Sequence, residues 1–168
     1  MNFLINIRIP LSVPIAQRAL YAAHYAAITK NSGRLLMFAG DQKIEHLHSD
    51  FYGPGIPAEC ARPEHLFAIA QQSDVGAFAT QLGLIARYAT QYPGIRYIAK
   101  INGKTSLTNK KIDPISAILA TVADVVQFKK ATWIAIMGVG MTVYLGSMHE
   151  AVLLDQAACM VRYAHANG

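Results

Sequence analysis

Residues 34–46, RLLMFAGDQKIEH, decide how the rest of the chain is read. Positions 35–39 are apolar or small without a polar interruption, the pattern of a strand buried on both faces of a parallel sheet. Gly40 stops the run, and Asp41 is the first charged side chain beyond it. Proteins with parallel sheets put their chemistry at the carboxyl ends of the strands, which makes Asp41 a candidate catalytic acid. The plainer alternative is that Asp41 only ties down the turn through backbone amides.

Three more apolar runs follow: VGAFAT at 75–80, a run at 95–101, and a run at 133–139. Each is followed by a helical signal. Pro63 with Glu64 opens a helix whose Leu66, Phe67, Ile69 and Ala70 are expected to face inward. A second helix spans 82–91 and closes at Tyr92-Pro93-Gly94. Thr121-x-x-Asp124 is a capping-box variant for a third, ending at Lys129-Lys130, and Ser147-x-x-Glu150 is a capping box for the last. The last helix carries Ala151, Leu154, Ala158, Val161 and Tyr163 as its apolar set. Ahead of the first strand, 14–30 reads as an Ala-rich helix with Ile15, Ala19, Leu20, Ala22 and Ala26 on its inner face.

Four strand–helix units after a leading helix imply an α/β fold with a parallel sheet, its strands in the order one to four and its helices on the outer face. The expected division is an N-terminal extension and helix at 1–33 and a (βα)4 unit at 34–168. No GxGxxG or GxxxxGK[ST] sits in any strand–helix turn, which argues against dinucleotide and nucleoside-triphosphate binding. An open four-stranded sheet satisfies this pattern, and so does half of an eight-stranded barrel.

Composition bounds the rest. The chain has 168 residues, 53% hydrophobic and 15% charged, which suits one globular core. No apolar run approaches the ~18–20 residues of a membrane span, and MNFLINIRIP lacks the basic leader of a signal peptide. Cys60 and Cys159 make no ligand spacing, so free thiols in a reducing cytoplasm are expected. The net charge of +5 is partly concentrated in Lys100, Lys104, Lys110 and Lys111. A solvated loop, or a loop that attracts phosphorylated metabolites, fits these lysines better than nucleic acid, since no binding motif accompanies them.

Lys100 and Asn102 end the third strand, where they are placed to bind substrate oxygens or phosphate. A strand-end lysine is also a candidate nucleophile if burial lowers its pKa. Glu45, His46 and His48 with Asp41 invite a metal reading, but their spacing matches no standard zinc motif; Glu45 and His46 are read as ordering the loop by hydrogen bonds. His24, His65 and His149 read as helix-surface residues without partners, and Tyr144 as a packing or loop-ordering residue.

The segments RLLMFAGDQKIEHLHSDFYGPGIP, VGAFATQLGLIARY, IAKINGKT and TVYLGS, in this order and spacing, resemble the archaeal-type class I fructose-bisphosphate aldolases. The resemblance covers about residues 8–168. It implies half of a (β/α)8 barrel and reversible aldol cleavage of fructose 1,6-bisphosphate to dihydroxyacetone phosphate and glyceraldehyde 3-phosphate through a lysine Schiff base, with no cofactor and no metal. By resemblance Asp41 lies beside that lysine and assists carbinolamine formation and dehydration. The family's catalytic tyrosine follows the barrel's fifth strand, its Schiff-base lysine sits on the sixth, and its phosphate-binding glycine segments come from the seventh and eighth. None of these is expected in this chain, which reads as the N-terminal half of such an aldolase, truncated before the fifth strand. Two other readings stay open: a non-catalytic half-barrel that oligomerises or binds a complementing half, and a module that binds phosphorylated metabolites. Nucleic acid and membrane are not expected partners.

Overall fold

The computed structural model describes residues 7–45, 48–104 and 114–168. A short turn of 3-10 helix, Ile15–Gln17, leads into α1 (Arg18–Ile28). There follow β1 (Met37–Ala39), α2 (Pro63–Gln72), β2 (Ala77–Gln81), α3 (Leu82–Tyr88) and β3 (Tyr97–Lys100). The chain continues through β4 (Asn102–Gly103), β5 (Ala117–Ile118), α4 (Val122–Thr132), β6 (Ile136–Gly140) and α5 (Glu150–Ala166). Four strands form one parallel sheet in the order β1-β2-β3-β6, which is the expected (βα)4 order. The antiparallel pair β4–β5 was not anticipated; each strand has only two residues, too few for a period-two pattern.

Register separates the two faces of the sheet. Phe78 pairs with Tyr97 and Tyr97 with Ile136, and this row meets Leu66, Phe67 and Ala70 of α2, Ile85 of α3, and Val122 and Val125 of α4. That helix-covered face is the hydrophobic core. Side chains on a strand alternate, so Ala79, Gln81, Ile98 and Lys100 occupy the other face. Gly138 and Gly140 lie on that face too, since a Cβ at either would touch the Ile98 side chain.

Several local expectations shift. β2 is buried along its whole length, but β1 is an edge strand with Met37 45% exposed and Leu36 63%, so only its neighbour fits the description of a strand buried on both faces. Ile69 is exposed on α2. Trp133 does not begin a strand: it caps α4 in the left-handed region at φ 59°, 89% exposed, and β6 starts three residues later. The Thr121–Asp124 capping box is complete. At α5 the expected box is displaced outward: the Ser147 hydroxyl accepts from His149 N, and the Glu150 carboxylate accepts from Gly146 N.

α1 presents Tyr21, His24, Tyr25 and Ile28 inward, while Ile15, Ala19 and Leu20 are exposed. His24 is not a partnerless surface residue. Its Nδ1 lies 2.6 Å from the Gly168 carbonyl oxygen and its Nε2 2.8 Å from Lys129 Nζ. A carbonyl only accepts and an ammonium only donates, so the proton sits on Nδ1 and Nε2 accepts. Burial, and then the Lys129 charge, lower the pKa of His24, which keeps the ring neutral. Among the described residues no helix is long and apolar enough to cross a membrane.

Candidate active site

The carboxyl ends of β1, β2 and β3 bring together residues from three separate stretches of sequence. Gly40 makes the first placement possible. A Cβ there would lie 2.3 Å from Cε2 of Phe78, so only glycine lets the chain pass beneath that ring. Gly40 N donates to Ala79 O at 2.8 Å, continuing the ladder for one residue and delivering Asp41 level with the end of β2. A turn over residues 42–45 then folds Glu45 back beneath Asp41, with Glu45 N bonded to Asp41 O at 3.1 Å.

Lys100, the last residue of β3, points to both carboxylates. Its ammonium donates to Asp41 Oδ2 at 2.6 Å and to Glu45 Oε1. The Lys100 side chain is 8% exposed, Glu45 1% and Asp41 18%. Asp41 is therefore the member of the trio with the most open face. One buried cation between two carboxylates is compensated by charge-assisted hydrogen bonds, and removing it would leave the two acids close together without the charge that offsets them. Gly103 leaves room beside the Glu45 carboxylate: a Cβ there would sit 3.0 Å from Glu45 Oε1 and 3.2 Å from Leu119 Cδ1.

Asn102 is fully buried and both ends of its amide are engaged by one residue. Nδ2 donates to Thr142 O at 2.8 Å, and Thr142 N donates to Oδ1 at 2.8 Å. This pair of hydrogen bonds ties the end of β3 to the loop after β6. In that loop the Tyr144 ring takes the Lys104 ammonium at 5.6 Å from its centroid. His46, Lys110, Lys111 and the side chain of His48 lie outside what the structure describes. Among the described residues no group of three or more His, Cys, Asp or Glu is arranged to hold a metal ion.

Three participants escaped the sequence reading. Gln81, opposite Lys100 in the β2–β3 register, donates from Nε2 to Glu45 Oε1 at 3.3 Å and reaches Asp41 O at 3.5 Å. The Thr80 hydroxyl lies 3.3 Å from both Gly40 O and Gln81 Oε1. Lys43 turns away from the acids: its ammonium donates to Cys60 O and lies over the Phe51 ring, joining the Asp41–Glu45 turn to the following loop. Burial lowers its pKa. For Lys43 the available signal was spacing: in DQKIE, residues two apart on one turn do not face the same side.

Comparison with known proteins places the chain in a family. A DeoC/LacD family aldolase model matches residues 35–168. The fructose-bisphosphate aldolase/6-deoxy-5-ketofructose 1-phosphate synthase of Methanocaldococcus jannaschii is 47% identical over 163 residues, 97% of this chain and 52% of that protein. The solved fructose-bisphosphate aldolase from Slackia heliotrinireducens superposes with a TM-score of 0.89 at 41% identity, covering 96% of this chain and 51% of the other. An archaeal fructose 1,6-bisphosphate aldolase superposes at 0.64 with 27% identity, over 84% of this chain and 51% of its own. The chain thus spans about half the length of the relatives it matches, and its parallel (βα)4 sheet corresponds to half of a TIM barrel. It belongs to the DeoC/LacD family of aldolases.

Proposed function

We propose that this chain supplies the N-terminal half of the substrate mouth of a Schiff-base aldolase acting on a phosphorylated sugar, with fructose 1,6-bisphosphate as the substrate its relatives' names favour. The observation that carries the reading is the Asp41–Lys100 contact of 2.6 Å at the carboxyl ends of the parallel strands. Asp41 is the more open carboxylate and takes the role of proton holder while an amine adds to the substrate carbonyl and water leaves. Lys100 holds a substrate oxygen or phosphate and keeps Asp41 oriented. Asn102 enters the reading as the residue that holds the Thr142 loop at the mouth, since its amide is engaged at both ends. Glu45 orders the first loop from beneath.

In this reading the Schiff-base lysine belongs to the barrel's other half, and α1 acts as a cover packed on β6. A cytoplasmic setting suits the two free thiols, Cys60 and Cys159. The test is to mix the chain with a C-terminal half taken from the Slackia aldolase, add fructose 1,6-bisphosphate, and reduce with borohydride. Aldol cleavage, a trapped adduct on the added half, and a loss of about 100-fold or more in cleavage with Asp41→Asn are expected. An adduct on Lys100, or full cleavage with Asp41→Asn, overturns the assignment.

A second reading is a non-catalytic half-barrel that forms a homo-oligomer. The observation that favours it is the exposure of Leu35, Leu36 and Met37 at the β1 edge.

A further inference from the structure

The aldolase reading leaves unexplained why Glu45, and not solvent, faces Lys100 from below. We infer that Gln81 is a positioning residue of the candidate site, fixing the Glu45 carboxylate and through it the Lys100 ammonium; this rests on the proposed function for what the site serves.

Gln81 is the N-cap residue of α3, yet its side chain makes no capping hydrogen bond. It turns inward to a position 6% exposed, beside Lys100 in register. Burying a primary amide is costly unless its donors and acceptor are met, so an amide drawn away from its helix end needs a compensating partner. Those partners fix its orientation. The Thr80 hydroxyl faces Oε1, which aims Nε2 at Glu45 Oε1. On its other side that oxygen lies close to Gly103, where a Cβ would sit 3.0 Å from it.

The choice of an amide matters chemically. Glu45 Oε1 receives one charged donor from Lys100 and one neutral donor from Gln81. A neutral donor steadies the carboxylate without competing as a second cation for its charge. Lys100 is then pinned from below, and its remaining contact is with Asp41 at the open side of the trio. A leucine at 81 would fill the space and remove the donor. A glutamate would add a third acid to the pair already facing Lys100.

The test reads the amine itself and needs no turnover. The chain is acylated with limiting acetic anhydride, and labelling of Lys100 is measured by mass spectrometry against the exposed Lys130. Gln81→Leu is expected to raise Lys100 labelling about tenfold relative to Lys130, the factor that matches loss of one hydrogen bond to a charged group. Glu45→Gln is expected to do the same, and the double variant to label no faster than Glu45→Gln alone, because Gln81 acts through Glu45. Labelling at the wild-type rate in Gln81→Leu, or additive effects in the double variant, overturns the inference. Should Gln81→Leu fail to fold, the wild type supplies a second measurement: the side-chain amide protons of Gln81 are expected to exchange slowly with solvent. Exchange at the solvent rate overturns it equally. Coupled labelling without aldol cleavage in the mixed halves would sink the aldolase reading alone. Cleavage retained with uncoupled labelling would sink this inference alone.

Discussion

Tyr97 is the bulkiest side chain buried almost completely, and its hydroxyl finds no hydrogen-bond partner among the described residues. Its ring stands within 6.2 Å of Phe67 and Phe78, so the aromatic body is well used while the polar tip is a cost. Burial, with Tyr92 adding to it, pushes the phenol up to about 12. Because the folded pKa is raised, the stability linked to this proton is fully present below the unfolded value of about 10 and is lost as pH rises toward the folded value. Tyr97→Phe keeps the ring and removes the unpaired hydroxyl. It is expected to stabilise the fold by about 1 kcal/mol at neutral pH, with the advantage growing between pH 10 and about 12. Denaturant midpoints at pH 7 and pH 11 measure this, and a lower midpoint for the variant at pH 7 refutes it. The candidate site shows what one residue can reveal before the fold is known. Asp41 and Lys100 stood out because each is a charge at the end of an apolar run, and Glu45 because it follows in the same turn. Gln81 did not, because an uncharged polar residue between a strand and a helix is what any cap looks like. Only the β2–β3 register, a long-range property, puts it beside Lys100.

At the scale of elements, the strands were legible as types and less so as neighbours. The run 35–39 and the run 75–80 have similar composition, yet one is an edge and the other is covered on both sides. α5 was legible in length and misread in rotation. Leu153, Ala157, Met160 and Ala164 turn inward or are half-buried, while Leu154, Ala158 and Val161 are exposed. Both sets obey the helical spacing, because apolar residues sit at adjacent positions around the helix, and periodicity alone leaves its rotation undetermined by one residue. α4 had a sharper signal in its cap. Thr121 Oγ1 accepts from Asp124 N at 3.2 Å, and Thr121 N donates to Asp124 Oδ2 at 2.7 Å. The backbone amide of Thr121, with its hydroxyl, holds the Asp124 carboxyl below its usual pKa. Thr121→Ala removes the hydroxyl half of this exchange and is expected to cost about 1 kcal/mol of stability, with Thr121→Ser restoring most of it. Circular dichroism melts of the three proteins at one concentration decide it; a Thr121→Ala melt that matches the wild type means the cap is idle.

Among the described residues the four-stranded sheet has two open edges, β1 on one side and β6 on the other. In a closed barrel each edge would meet another strand, and the inner face would meet side chains from the opposite strands. Here the edge run at 35–37 offers backbone amides and carbonyls beside exposed leucines and a methionine, with no lysine or proline among them to deter pairing. α5 adds Leu154, Val161 and Tyr163 to the apolar surface, and Leu119 and Ile118 add more beside the candidate site. Leaving ~600 Å² of such surface in water forfeits on the order of 15 kcal/mol at ~25 cal/mol per Å². That is comparable to the whole net stability of an ordinary domain, which gives these edges a strong drive toward a partner. The polypeptide of 168 residues, prepared by itself, is therefore expected to self-associate, to capture a complementing half, or to melt without cooperativity. Sedimentation velocity across a concentration series separates these outcomes, and adding the C-terminal half of a relative should convert any self-associated species to a one-to-one complex. A single monomeric boundary at all concentrations, joined to a sharp cooperative melt, would show that the exposed edges cost far less than their area implies.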